Sequence, residues 1–288
     1  MRARSAAAAS HRKISLSPRW ADVKNVVIVA THHKTGTVWM RSVFLRIAKK
    51  LGVPFLFIEQ LSGTDPAALV APSIIFDNHA AFHNCRWLLK RPDSRIIHLI
   101  RDPRDVIISG MAYHRTASEP WLLRPRQSFG GLTYQEKINS LPDDQARYIF
   151  EMHNSANKTI RAMKKWNYKR KNSFECRYED LIKDTNMEIF TSALLCLGFE
   201  GEELDICRKI FKRNSLFGKA KPNKSHHIRS GDPRQWMHTF NPLLAKEFVA
   251  QFGDVLIELG YEPDNAWVDA VPPTSEDGHA LARQELGV

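Results

Sequence analysis

The sequence has little cysteine, and what it has is not arranged for a staple or a metal. Cys85, Cys176, Cys196 and Cys207 are the four. They form no C-x-x-C pair and no metal-type spacing with histidine, which argues against a disulfide framework or a zinc site and favours a reducing, cytoplasmic compartment. No stretch approaches the ~20 apolar residues that a membrane span requires. The opening MRARSAAAAS lacks the apolar middle of a secretory leader; its Arg, Ser and Ala faintly resemble an organelle transit peptide, but a floppy N-terminus is the expectation. Internal repeats are missing too. The echo of Leu197-Gly198-Phe199-Glu200 in Leu259-Gly260-Tyr261-Glu262 is what two glycine-terminated helices produce. Acidic residues are in deficit, 31 against 42 Lys and Arg, for a formal net charge of +11. That balance favours anionic ligands and fixes the sign of a partner, though a merely solubilising surface gives the same total.

What is present is enough for one sizeable core. A chain of 288 residues, 43% hydrophobic and 25% charged, fits one large α/β domain better than two small ones. Val26-Val27-Ile28-Val29-Ala30 is a continuous apolar run of the kind buried on both faces of a parallel sheet. After a short turn, Met40, Val43, Phe44, Ile47, Ala48 and Leu51 recur at helical spacing and Gly52 with Pro54 stops the helix. Further short apolar runs at 74–76, 96–100 and 173–176 alternate with helical stretches near 104–114, 142–168, 186–197 and 203–213. A last helix fits 242–259, capped by Asn241 and closed by Gly260. Such alternation predicts a single-domain parallel β-sheet flanked by helices. The domain is expected over 23–267. Residues 1–22 form a polar N-terminus, 268–288 a disordered tail, and 115–141, rich in Trp, Pro and Gly without periodicity, a long loop suited to an acceptor-site lid.

Two segments carry the clearest chemistry. The turn His32-His33-Lys34-Thr35-Gly36-Thr37-Val38-Trp39 joins a buried strand to a helix, so it gathers backbone N–H groups and the positive helix end around one point, as a phosphate or sulfate requires. Gly36 allows close backbone approach, Thr35 and Thr37 add hydroxyls, and Lys34 adds a cation. In Arg101-Asp102-Pro103-Arg104-Asp105-Val106-Ile107-Ile108-Ser109, the Arg stands at a strand's C-terminal end, where open α/β sheets bind ligands, and Ser109 lies two helical turns onward. An Arg101–Asp105 surface ion pair, worth ~0–1 kcal/mol, is the plainer reading of the same residues.

Together these motifs resemble the sulfotransferases that use 3′-phosphoadenosine-5′-phosphosulfate (PAPS). The Lys-[Ser/Thr]-Gly-Thr-x-Trp pattern is similar to that family's 5′-phosphosulfate loop, and it departs from G-x-x-x-x-G-K-[ST] because its Lys precedes its Gly. The resemblance extends over 26–260 and implies a P-loop-NTPase-like sulfotransferase fold, PAPS as co-substrate and no metal. It implies Lys34 on the leaving group, and Thr35, Gly36, Thr37, Val38 and Trp39 in donor binding. Arg101 and Ser109 fall on the 3′-phosphate site, with Ser109 also counted in the catalytic set. Tyr178, in Tyr178-Glu179-Asp180-Leu181, and Trp39 fall beside the adenine. Arg229-Ser230-Gly231, followed by Trp236, matches a segment that returns over the 3′-phosphate; Ser230 stands where the family has Lys, so that phosphate contact is expected to be weaker or to be supplied by Lys219, Lys221 or Lys224. His79, after the run 74–76, matches the strand-end general base, although the family's preceding Lys-Thr is Asp77-Asn78 here. His83 and Asp77 remain competitors, and His32 and His33 flank the loop itself.

The resemblance leaves a small-molecule or carbohydrate acceptor undefined, with no nucleic acid and no membrane span among the expected partners. Trp121, Phe129, Tyr134 and Tyr148 point to an aromatic pocket, whereas Arg115, Arg124 and Arg126 point to an anionic acceptor. Residues 237–246 do not match the family's dimerisation segment, so oligomeric state stays open. A P-loop kinase is the first rival, disfavoured by the reversed Lys-Gly order and the basic strand end at Arg101. A non-catalytic nucleic-acid-binding protein is the second, resting on charge and on the Lys-rich stretches 164–171 and 219–224.

Overall fold

The computed structural model describes residues 25–215, 217–218 and 233–272. The sequence expectations for 1–22, for Arg229, Ser230 and Gly231, and for most of the C-terminal tail lie outside those residues.

Five strands form one parallel sheet in the order β2-β3-β1-β4-β5. They are β1 (Val26–Thr31), β2 (Phe55–Phe57), β3 (Ser73–Asp77), β4 (Ser94–Ile100) and β5 (Ser173–Arg177). Register is set by apolar runs at the centre, where Ile28 lies beside Ile75 on one side and Ile96 on the other. Every residue of β1 is buried. Side-chain alternation sends Val27 and Val29 to one face and Val26, Ile28 and Ala30 to the other.

On the first face, α1 (Thr37–Leu51) packs through Met40, Val43, Phe44 and Ile47. Across the chain, α7 (Glu188–Leu197) and α8 (Gly201–Asn214) join it through Phe190, Leu194 and Phe211. The second face is covered by Phe82, Cys85 and Leu88. A helical layer beyond the β4 end comprises α2 (Pro103–His114), α3 (Tyr134–Asn139), α4 (Asp144–His153) and α5 (Ser155–Lys165). It also holds α9 (Pro242–Phe252) and α10 (Val255–Glu258), while α6 (Tyr178–Leu181) is a single turn after β5. Ile107, Ile160, Phe248 and Val255 share its core, which reaches Trp267 and Val271. The folded region therefore runs a few residues past the boundary expected at 267.

Three expectations are refined. The helix anticipated over 142–168 is broken at Asn154, whose φ of −115° and ψ of −100° are not helical. The helix anticipated over 242–259 divides at Gly253 (φ 58°), a glycine whose positive φ stops α9. The segment 115–141 is not one long loop: it contains α3 and collapses around Tyr134, Leu122 and Ile138 into a satellite cluster with Trp121 and Phe129 against it.

Arg104 fastens the C-terminal segment to the start of α2. Its guanidinium bonds both carboxylate oxygens of Asp102 (3.0 and 2.7 Å) and Glu262 (2.6 Å) and lies over Trp236, 3.5 Å from the ring centroid. Only 2% of Arg104 is exposed, so removing it strands two carboxylates in a partly dry setting. We expect Arg104→Ala to destabilise the fold by about 3–5 kcal/mol in urea unfolding; a loss below about 1 kcal/mol would show that the clamp is dispensable.

Candidate active site

The sheet grows from β1 in both directions, through β3 and β2 on one side and then through β4 and β5 on the other, which makes the C-terminal end of β1 the switch point where such sheets hold ligands. The chemistry-bearing residues arrive there as each strand ends: Lys34 after β1, His79 after β3, Arg101 after β4 and Tyr178 after β5.

The β1–α1 turn is tied to itself. The His32 carbonyl accepts from the hydroxyls of Thr35 (2.8 Å) and Thr37 (2.7 Å) and from the Thr35 amide (3.2 Å). Thr35 is fully buried, so its hydroxyl shapes the loop instead of facing the cleft. Lys34 adopts a left-handed backbone (φ 65°) and Gly36 a φ of 105°. A Cβ at Gly36 would meet the Tyr178 ring at 3.0 Å and Leu99 at 3.2 Å, so glycine is required for space as well as for conformation. The first helical bond of α1 runs from the Met40 amide to the Gly36 carbonyl, and no side chain caps the helix. The amides of Thr37, Val38 and Trp39 thus stand at an open helix start.

Arg101 is held on three sides. It donates to the Lys34 carbonyl and to Asp105 Oδ2, each at 3.3 Å, and stacks over Tyr178, 4.6 Å from the ring centroid. Asp105 in turn accepts from the amides of Arg234 (2.9 Å) and Trp236 (3.1 Å), so these two residues are fastened beside Arg101. Glu179 joins the ends of β4 and β5 by accepting from the Asp102 amide at 2.9 Å, and burial pushes its carboxyl up to about 7.

A cavity of about 1380 Å³ opens between these loops and the α2–α5 layer. Lys34, Gly36, Thr37, Val38 and Trp39 line it. So do His79, Arg101, Ser109 and Tyr178. Of the other expected residues, Thr35 lies behind the loop. His83 stands outside the cavity lining, and Asp77 is occupied in the β3 turn, accepting from the amides of His79 and Phe82 at 2.9 Å each. Of the aromatic and cationic cues that conflicted in sequence, Trp121, Tyr134 and Arg126 line the cavity together, Arg126 lying 5.6 Å from the Trp121 ring and 5.3 Å from that of Tyr134, whereas Phe129, Tyr148, Arg115 and Arg124 stand outside its lining. Arg101 Nε and Trp39 Nε1 are buried without a hydrogen-bond partner among the described residues.

A family model described as a sulfotransferase domain matches residues 24–260. The chain belongs to the sulfotransferase family. No curated protein matches it. Among solved structures it is similar to the mouse sulfotransferase SULT7A1 complexed with PAP, at 16% identity over 81% of this chain and 84% of that one, with a TM-score of 0.54. Retinol dehydratase in complex with androsterone and inactive cofactor PAP is similar at 15% identity over 80% of each chain, TM-score 0.54. At these identities the structural likeness is one of fold. The reaction of this sulfotransferase is sulfuryl transfer.

Residues that sequence reasoning did not connect also reach the sulfotransferase cavity. His33 lines it and pairs Nε2 to Nε2 with His114 at 2.9 Å, the two rings edge to edge and within 4° of parallel. His114 Nδ1 meets Glu151 Oε2 at 2.9 Å, and that oxygen also accepts from the Tyr134 hydroxyl at 2.7 Å. A second chain runs behind the loop from His32 to His98 at 2.8 Å and on to Glu175. Burial is the main cause that holds both His32 and His33 well below the usual imidazole range. The doubled His32-His33 was the visible signal; its partners come from distant helices and strands.

Burial, and then the charge of Arg101, lower the Lys34 ammonium to about 8. Below that pH Lys34 carries its charge, and above it the charge is lost. The affinity of the free enzyme for adenosine 3′,5′-bisphosphate (PAP) should therefore fall as pH rises through about 8, measured by calorimetry from pH 6.5 to 9.5. Lys34→Met should show no such fall, and a wild-type profile as flat as that of the variant would refute the assignment.

Proposed function

We propose that this sulfotransferase places the phosphosulfate of PAPS on the β1–α1 loop and its 3′-phosphate between Arg101 and Ser109, and transfers the sulfuryl group to a small hydroxyl acceptor seated against the Trp121–Tyr134 wall. The observation that carries this reading is the convergence of Lys34, Arg101 and Ser109 on one cavity at the strand ends. The amides of residues 37–39 and the helix start face one end of a polyanion, and a planar guanidinium suits a phosphate monoester at the other. Trp39 and Tyr178 stand edge to face, 6.2 Å apart, where an adenine can stack.

PAPS supplies an activated sulfuryl group and a phosphate leaving group; the protein's part is alignment, charge and proton removal. Lys34 neutralises the charge that builds on the departing oxygen. Its Nζ rests 3.8 Å from the centroid of Tyr113, which keeps it in the cleft. Nothing in this scheme calls for a metal. Acceptors of the kind in the retinol dehydratase complexes, androsterone and retinol, are apolar alcohols and fit an aromatic wall, while Arg126 adds a site for an acceptor that also bears an anionic group. The four cysteines are unpaired, in keeping with a reducing, cytoplasmic setting.

PAP at a hundredfold excess over its Kd should stabilise the protein by about 2.7 kcal/mol in thermal unfolding, and adenosine 5′-phosphate at the same concentration by less. Equal shifts would remove Arg101 and Ser109 from the 3′-phosphate. Lys34→Met should lower kcat by roughly 10²–10³-fold while PAP still binds at pH 7, because the backbone donors remain; a raised donor KM with unchanged kcat would make Lys34 a binding residue only.

A further inference from the structure

We propose that His33 takes the acceptor's proton in this sulfotransferase, with His114 and Glu151 as the positioning residues that set its tautomer and share the charge it acquires. The inference rests on the donor placement above and adds the acceptor half of the reaction.

The hydrogen-bond chain fixes where each proton lies. Glu151 Oε2 accepts from both Tyr134 and His114 Nδ1, so the proton on His114 is on Nδ1 and its Nε2 is a bare acceptor. His33 must then donate through Nε2, which leaves the lone pair of His33 Nδ1 as the basic position. Burial and the adjacent Glu151 keep the Tyr134 hydroxyl protonated, so it stays a donor throughout.

The chain is built into the fold. His114 is 0% and Glu151 1% exposed, and the Ser155 amide leads to the Tyr134 oxygen at 3.4 Å. Room for the carboxylate comes from Gly110 on α2, where a Cβ would stand 2.6 Å from Glu151 Oε1. His33 itself adjoins Lys34 in sequence and lines the same cavity, on the residue next to the cation that meets the leaving oxygen. His79 also lines the cavity but is exposed, and among the described residues no hydrogen bond joins its ring to a carboxylate. A base oriented by a third group is the arrangement by which enzymes activate a hydroxyl.

In the step so assigned, the acceptor's O–H bond breaks and its proton passes to His33 Nδ1. The acceptor oxygen forms a bond to sulfur as the bond from sulfur to the 5′-phosphate oxygen breaks, and that oxygen departs with the electron pair beside Lys34. His33 becomes an imidazolium, and its Nε2–H points along the chain toward His114 and the Glu151 carboxylate.

The test uses the full chain with PAPS and a series of phenols of graded acidity, from 4-methoxyphenol to 4-nitrophenol, with water alone as the baseline acceptor, following PAP release. His33→Ala and His33→Gln should each lower turnover with 4-methoxyphenol by roughly 10²–10⁴-fold and with the more acidic 4-nitrophenol by much less. Glu151→Gln and His114→Gln should shift turnover in the same graded manner. Nitrogen-15 NMR of histidine-labelled protein supplies a readout independent of turnover: His33 should be protonated at Nε2 and His114 at Nδ1, and Glu151→Gln should change both signals. A PAP-induced thermal shift retained in every variant shows the donor site intact, so its absence in the wild type would instead count against the donor placement. The proposal is overturned if His33 variants keep their turnover while His79→Ala loses it, if the loss is independent of phenol acidity, or if His33 is protonated at Nδ1.

Discussion

The guanidinium of Arg101 is the contact on which the site depends. It bonds the Lys34 carbonyl in the β1 loop, bonds Asp105 on α2 and lies over Tyr178 after β5. Three loops that are far apart in the chain are thereby held at one point. Asp105 extends the hold to Arg234 and Trp236, and Arg104, next to it in sequence, secures Trp236 from the other side through its ring. Buried charge is costly unless it is paired and bonded, and here each carboxylate is satisfied by several donors. Burial still raises the carboxyl of Asp105, which marks how little water reaches this junction.

Much of this was legible in the chain because it is local. Apolar runs declared β1, β3, β4 and β5, and the Lys34–Gly36 turn could be read as a ligand loop because its strand and helix are contiguous. What escaped was short or tertiary. β2 is three residues long and half-buried, too brief for any period to show. The break at Asn154 has neither proline nor glycine to announce it, whereas the Gly253 break carried a signal that the strong apolar stripe of 242–259 outweighed. His114 and Glu151 look like ordinary helix residues in sequence. They join His33 only because α2 and α4 pack together beside the β1 loop, and no spacing along one chain records that.

The two histidine chains illustrate how a short loop can be specified from behind. His32 faces into the sheet toward His98 and Glu175, the latter also bonded by Trp166 and Ser173. His33 faces the cavity and is supported from the helical layer. Consecutive residues therefore connect the loop to two different carboxylates in two different layers, so the position of Lys34 between them and Gly36 is determined by the fold as a whole.

Gly110 has a consequence for how such a chain can change. In the middle of a helix glycine is worse than alanine by roughly 0.5–1 kcal/mol, so helix stability alone favours its replacement. The Glu151 carboxylate occupies the space that even a methyl group needs. A lineage that trades glycine for alanine gains helix stability and displaces the carboxylate from its place behind His114 and His33. The arrangement is simple to lose, and the identity of residue 110 in a related chain is the sign by which its presence can be judged.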